Sequence, residues 1–297
     1  MNPAAGLVLA GGRGTRLWPA TLGTSKQLLP VAGRPMIYFP IATLMLAGIQ
    51  DITLVTSPQS DFALKNLLGS GEQFGVRFHY ILQEQPEGIA HGFGLAHERY
   101  EGTMTLAILG DNFFFGRGLG KSLETLTVNS TKTTIFVKRV SDAKPFGVAT
   151  LDGKGGISSL EEKPQNPSSN LAVTGLYLFK PGDLNAPKRL RKSGRGELEI
   201  VDMLLEIKEK DGLQAEELNM STFWSDLGNL DTLSHVDQYV RSIEKTQSMH
   251  VLTPELIAVE QGFVEISQMI VWLESCPDSL YREMVLSRLK QKQEFGE

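Results

Sequence analysis

The sequence predicts an α/β protein: a doubly wound, mixed sheet, then a mixed β region and a helical C-terminal appendage. Three observations carry this reading. Apolar strand-like segments alternate with helical patterns through residues 6–109. Short β-like segments bounded by Gly, Pro and Asn fill the middle of the chain, and helical periodicity dominates from Asp231 onward.

Gly6–Ala10 is continuously apolar, as a strand buried on both faces of a sheet must be, and it opens directly into a glycine-rich turn. Pro35–Ala47 reads as a helix ended by Gly48, Asp51–Thr56 as a strand, and Gln59–Leu68 as a helix closed by Gly69. Val76–Leu82 alternates as a strand, Ile89–Arg99 has a helical pattern, and the apolar strand Met104–Leu109 ends at Gly110-Asp111-Asn112. This alternation places a ligand site at the carboxyl ends of the strands. Thr133–Arg139, Gly147–Leu151, Gly156–Leu160 and Ala172–Phe179 extend the sheet, and Glu197–Lys210 is a further helix. Phe223-Trp224 leads into a loop rich in Asp and Gly. Helices at Asp231–Lys245, Pro254–Gln261, Ile266–Glu274 and Ser279–Lys292 form a cap or an assembly surface. The organisation expected is a core over 1–230, divided near 115, and a helical region over 231–297.

With 297 residues, 41% hydrophobic and 21% charged, the chain can bury a core and is not disordered in bulk. A net charge of −5 argues against a nucleic-acid partner, although one cleft can still be basic. The single cysteine, Cys276, excludes an internal disulfide and a Cys-based zinc cluster, and reads as structural. No charged start precedes an apolar stretch at Met1–Ala5, and no apolar run approaches the roughly 20 residues of a membrane helix. The expectation is a cytoplasmic protein with no membrane partner.

Leu9-Ala-Gly-Gly-Arg-Gly-Thr-Arg-Leu17 stands at a strand-to-helix turn, where glycines let backbone N–H groups approach phosphates. Leu17 occupies the third position of a dinucleotide fingerprint, and no Gly-Lys-Ser/Thr of a P-loop follows. Arg16, just behind the loop, suits bidentate phosphate contacts. Alone, the loop is also compatible with an ordinary tight turn. Lys26 is either a phosphate ligand or, more simply, a surface residue. Asp111 and Asp226 are loop carboxylates suited to Mg²⁺ or to turn capping, and become informative only if they converge. Glu162-Lys163, with Arg195, could hold a sugar phosphate or be solvated charge. His91 reads more simply as helix surface than as pocket lining, and the five histidines show no metal spacing.

Taken together, these motifs resemble the sugar-1-phosphate nucleotidylyltransferases, the long bacterial glucose-1-phosphate thymidylyltransferases among them. The likeness runs through Leu9–Leu17, Ser25–Pro30, Met36–Ile49, Gly110–Asn112, Ser159–Pro164, Ala172–Tyr177, Gly196–Ile200 and Trp224–Gly228. It implies a Rossmann-like, GT-A-like nucleotidyltransferase fold with a nucleotide-binding part over about 1–115 and a sugar-binding part over about 116–230. The implied reaction is in-line attack of glucose 1-phosphate on the α-phosphorus of dTTP (or UTP), giving dTDP-glucose and pyrophosphate. By the resemblance, Asp111 and Asp226 hold Mg²⁺, and Arg16 and Lys26 manage the triphosphate. Lys163 and Arg195 grip the sugar phosphate, while Gly147, Glu162 and Val173 line the hexose pocket. Leu9, Gly11, Gly12, Gly14, Thr15, Gln27, Gln83 and Gly88, together with Arg16 and Asp111, hold the nucleotide. Gln83 has its own rationale, because an amide can both donate to and accept from the edge of thymine or uracil. A homotetramer in dTDP-rhamnose biosynthesis follows from the same likeness.

One departure concerns the tail, where long family members carry a second nucleotide-sugar site between subunits. His250 and Glu260 stand where the family pattern has a lysine and an arginine. A carboxylate repels a pyrophosphate, so the expectation is weak or altered feedback through that site. The rival readings are the same chemistry with UTP or another hexose phosphate, a catalytically silent nucleotide-sugar sensor, and a dehydrogenase, which Leu17 disfavours.

Overall fold

The computed structural model describes residues 4–295 except 13, 153–154 and 248, so Arg13 of the glycine loop lies outside the described residues. The strands are β1 (Ala5–Ala10), β2 (Pro30–Val31), β3 (Arg34–Pro35), β4 (Asp51–Thr56), β5 (Arg77–Leu82), β6 (Thr105–Leu109), β7 (Asn112–Phe115), β8 (Thr133–Arg139), β9 (Gly147–Leu151), β10 (Ile157–Glu162), β11 (Leu171–Phe179), β12 (Leu213–Glu217) and β13 (Phe223–Asp226). The helices are α1 (Tyr38–Leu46), α2 (Asp61–Leu68), α3 (Ile89–Gly94), α4 (Leu119–Asn129), α5 (Ile200–Asp211), α6 (Leu230–Gln247), α7 (Pro254–Glu260), α8 (Ile266–Ser275) and α9 (Leu280–Phe295).

Among the described residues the central sheet has nine strands, in the order β10-β9-β11-β6-β1-β4-β5, with β8 against β11 and β12 against β8. β6, β1, β4 and β5 run parallel, whereas β11 is antiparallel to β6 and to β8. Both faces are buried, as the unbroken apolar run of β1 requires. Val8, Leu106 and Ile108 pack into one core with α1, while Leu7, Ala107 and Tyr177 pack into another with Ala90 and Phe93 of α3. Connections on opposite faces make the carboxyl ends of β1 and β6 the switch point of the sheet, where a crevice opens.

Several elements differ from the sequence reading. The pattern of Ile89–Arg99 is helical only to Gly94, since two glycines weaken it. At Gly92 a Cβ would sit 2.9 Å from Leu9 Cδ2, so any side chain there would press on Leu9. Helix α4 and strand β12 were not expected, although Leu119, Leu123 and Leu126 of α4 stand at helical spacing. The loop expected after Phe223-Trp224 is instead β13, paired antiparallel with the equally unexpected β7. Aromatic contacts hold that ribbon: Phe113 lies 5.1 Å from Phe39 and 5.8 Å from Phe223, which stacks on Tyr239 of α6 at 4.2 Å.

The helical C-terminal region shares the core of the sheet. Val236, Val240, Ile257, Met269, Leu273, Val285 and Leu289 join the cluster that contains Met36, Phe39 and Phe74. A buried cation fastens the two parts. Arg34, only 1% exposed, donates to Val251 O at 2.7 Å and to Thr253 Oγ1 at 2.8 Å, pairs with Glu244, and faces the Tyr281 ring. Removing one member of a buried pair strands the other charge. Arg34→Met should therefore cost about 3 kcal/mol in urea unfolding, and adding Glu244→Met should recover much of it. A single-variant loss below about 0.5 kcal/mol, the size of an ordinary surface change, would contradict this role.

Candidate active site

The glycine loop leaves β1 and turns through Gly14 at φ 62 into a short 3-10 turn, Thr15–Leu17. A Cβ on Gly14 would lie 2.9 Å from both Lys26 Cβ and Thr21 Cγ2, so glycine is required for space as well as for φ. The residues behind the loop are packed rather than exposed. Lys26 is 5% exposed and Gln27 2%, which overturns the simpler surface reading of Lys26. A buried ammonium needs a partner, and Lys26 Nζ pairs with Asp111 Oδ2 at the end of β6.

Asp226 reaches the same point through β13. Its strand partner is Asn112, and the Leu227 N–H donates to Asp111 O at 2.7 Å. The Trp224 indole N–H donates to Asn112 Oδ1 at 2.7 Å and locks the register. The two loop carboxylates therefore converge. Burial pushes the Asp226 carboxyl above the usual range and the Asp111 charge pushes it further, while Arg16, 3.9 Å away, and Lys26 oppose this. Gly228 leaves the space that this meeting needs, since a Cβ there would lie 2.6 Å from both Arg16 Nη2 and Asp226 Oδ2.

Two cavities meet at these residues. The larger, about 470 Å³, is lined by all ten residues assigned from the sequence to the nucleotide, from Leu9 to Asp111, and also by Lys26, Ile89, Glu197 and Gly228. The smaller, about 190 Å³, contains Gly147, Glu162, Lys163, Val173 and Asp226, walled by Phe146, Val201 and Trp224. Arg16, Ile89, Leu109 and Asp111 border both. Lys163 takes φ 45, an unusual backbone for a lysine, and its Nζ lies 3.4 Å from Glu162. Arg195 stands apart: it lines neither cavity and is held between Glu162, at 3.5 Å, and Glu199, at 2.9 Å.

The aromatic wall and Glu197 escaped the sequence reading. Glu197 was counted as the first residue of a helix that begins at Ile200. The Gly194-Arg-Gly196 turn before it was the available signal. His91 differs from the surface reading, since its Nδ1 lies 3.0 Å from Gln83 Nε2. Cys276 sits at the end of α8 with Sγ 3.5 Å from Trp272 O, a packing position. In the tail, burial holds His250 below the ordinary histidine range, and Glu260 lies 4.0 Å from Lys292.

Among the described residues no group of three or more His, Cys, Asp or Glu comes together as a metal site. Two carboxylates remain, and burial together with the charge of Asp111 raises that of Asp226. That donor set fits a hard cation that takes its other oxygens from phosphate and water.

Fold and site together define an enzyme of nucleotidyl transfer. The chain matches the Nucleotidyl transferase family over residues 5–242. It is 40% identical over 259 residues to the glucose-1-phosphate thymidylyltransferase of Neisseria gonorrhoeae, covering 87% of this chain and 90% of that one. It is 39% identical over 287 residues to the enzyme of that name from Mycolicibacterium smegmatis, covering 97% and 99%. A solved structure described as a Bacillus anthracis glucose-1-phosphate thymidylyltransferase, in complex with sucrose, is 36% identical with a TM-score of 0.74, covering 81% of this chain and 96% of that chain. A UDP-glucose pyrophosphorylase structure, 20% identical with a TM-score of 0.72, shares the fold. The chain belongs to the nucleotidyl transferase family and groups there with the glucose-1-phosphate thymidylyltransferases. No helix among the described residues is long and apolar enough to cross a membrane.

The raised Asp226 carboxyl gives a pH signature. Protonation competes with a cation, and it begins at higher pH than for an ordinary aspartate, which titrates near pH 4. Calorimetric Mg²⁺ affinity, with a nucleoside triphosphate present, should fall as pH is lowered from neutrality. It should fall more steeply in the wild type than in Asp226→Asn, which lacks the raised carboxyl. Equal pH dependence in the two proteins would contradict the assignment.

Proposed function

We propose that this chain makes dTDP-glucose and pyrophosphate from dTTP and glucose 1-phosphate, with Mg²⁺ held by Asp111 and Asp226. The observation that carries the proposal is the border that Arg16 and Asp111 share between the two cavities. A triphosphate in the larger cavity and a hexose phosphate in the smaller one meet at that border, where the α-phosphorus must lie. An oxygen of the sugar phosphate attacks phosphorus, the bond to the bridging α–β oxygen breaks, and pyrophosphate leaves with the electron pair. Such a step depends on positioning and charge neutralisation and needs no protein nucleophile. Mg²⁺ would supply charge neutralisation at the phosphoryl oxygens.

The protein's own groups divide the remaining work. Arg16, whose side chain is 63% exposed, is free to close on phosphate oxygens. Lys26 is fixed by packing and holds Asp111 in place until the ligands arrive. Glu162 accepts from hexose hydroxyls, and Lys163 meets the sugar phosphate. Arg195 acts on that phosphate only after leaving Glu199, so we assign it to closure of the smaller cavity. The cytoplasmic homotetramer and the dTDP-rhamnose route belong to this proposal through the family resemblance. So does weak feedback at the tail, where neither His250 nor Glu260 offers a fixed cation.

Pyrophosphate release, measured for dTTP, UTP, dCTP and ATP against three hexose 1-phosphates, tests the reading. The highest kcat/KM should fall on dTTP with glucose 1-phosphate, and Asp111→Asn should lower it about 10³-fold or more. Preference for UTP or another sugar would overturn the substrate pair, and full activity in Asp111→Asn would overturn the metal assignment.

A further inference from the structure

The Gln83 amide has two N–H donors, and both are engaged within the protein. Nε2 donates to Gly88 O at 3.3 Å and contacts His91 Nδ1 at 3.0 Å. The carbonyl of Gly88 can only accept, so the atom facing it is nitrogen, and His91 Nδ1 must then be the acceptor. The imidazole proton therefore sits on Nε2. That nitrogen faces Glu87 Oε2 at 3.8 Å, and Glu87 is anchored by Lys192 Nζ at 2.6 Å. The carboxylate favours the proton on the ring nitrogen that points toward it. A relay, Lys192–Glu87–His91–Gln83, thus sets which end of the amide turns to the cavity.

That end is the oxygen. Gln83 Oε1 lies beside Gly11, which lines the larger cavity together with Gln83, and beside Gly92; a Cβ on these glycines would be 3.3 and 3.4 Å from it. An amide offers the base both a donor and an acceptor; in the folded chain the donors are engaged, and among the described residues the oxygen accepts from none. An acceptor pairs with the N3–H of thymine or uracil and opposes the N3 lone pair of cytosine.

We propose that His91 is a positioning and specificity-determining residue: its Nδ1 lone pair holds the Gln83 amide with the oxygen toward the base, and so selects keto pyrimidines against cytosine. The proposal rests on the reading of the larger cavity as a nucleotide site. It assigns His91 no contact with substrate and no part in phosphoryl transfer.

The experiment compares wild type, His91→Leu and His91→Asn for dTTP and dCTP, by calorimetric Kd and by steady-state kinetics with glucose 1-phosphate. Losing one hydrogen bond to the amide should raise the dTTP Kd and KM about tenfold and leave kcat within about twofold. The preference for dTTP over dCTP should narrow by about the same tenfold factor. Asn offers an acceptor near the Nδ1 position and should restore most of the discrimination, which a merely structural role would not predict. Unchanged discrimination in His91→Leu would overturn the proposal alone. So would parallel losses for dTTP and dCTP, or a fall in kcat without a change in KM. A wild-type protein that binds neither nucleotide would overturn the proposal together with the reading of the cavity.

Discussion

Two-stranded pairing between Asn112–Phe115 and Phe223–Asp226 is the constraint on which the site depends. It brings carboxylates from distant parts of the chain to one point beside the glycine loop. A one-residue slip would turn every side chain of β13 to the other face, and Asp226 would leave the site. The register is therefore fixed redundantly, by the Trp224–Asn112 hydrogen bond, by the Leu227 N–H on Asp111 O, and by Phe113 and Phe223 packing with Tyr239. Tyr239 belongs to the helical region, so the tail reaches the chemistry through the aromatic contacts of this ribbon.

Charge balance follows from that convergence. Two carboxylates brought together repel, and burial makes the repulsion stronger. Lys26 answers Asp111 and Arg16 faces Asp226, one cation rigid and the other exposed. The contrast suits a site that must receive a highly charged ligand: the fixed lysine keeps the pocket formed, while the exposed arginine can change partners without breaking the core.

Much of this was legible in the sequence because the signals are local. An apolar run ending in glycines marks β1 and its loop, and the run ending at Gly110-Asp111 marks β6, so the switch point could be read directly, whereas Gln27, Gln83 and Gly88 entered through the family resemblance. The position of Asp226 could not be derived from local pattern, because β13 becomes a strand only through its distant partner β7. Burial of Lys26 was hidden for the same reason, since only Asp111 makes it tolerable. The role of the tail in the core depends on Arg34 finding Glu244 and Val251, a contact with no periodic trace. His91 escaped because a hydrogen bond across a turn has the same sequence appearance as a solvent-facing histidine.

The central claim is direct transfer at the border shared by Arg16 and Asp111, with no covalent enzyme intermediate. Turnover of dTTP made chiral at the α-phosphorus by a single sulfur substitution tests it most directly, with the configuration of the product read by ³¹P NMR. One in-line displacement predicts inversion at that phosphorus. Retention would mean two displacements through a nucleotidylated protein residue, and would contradict the account.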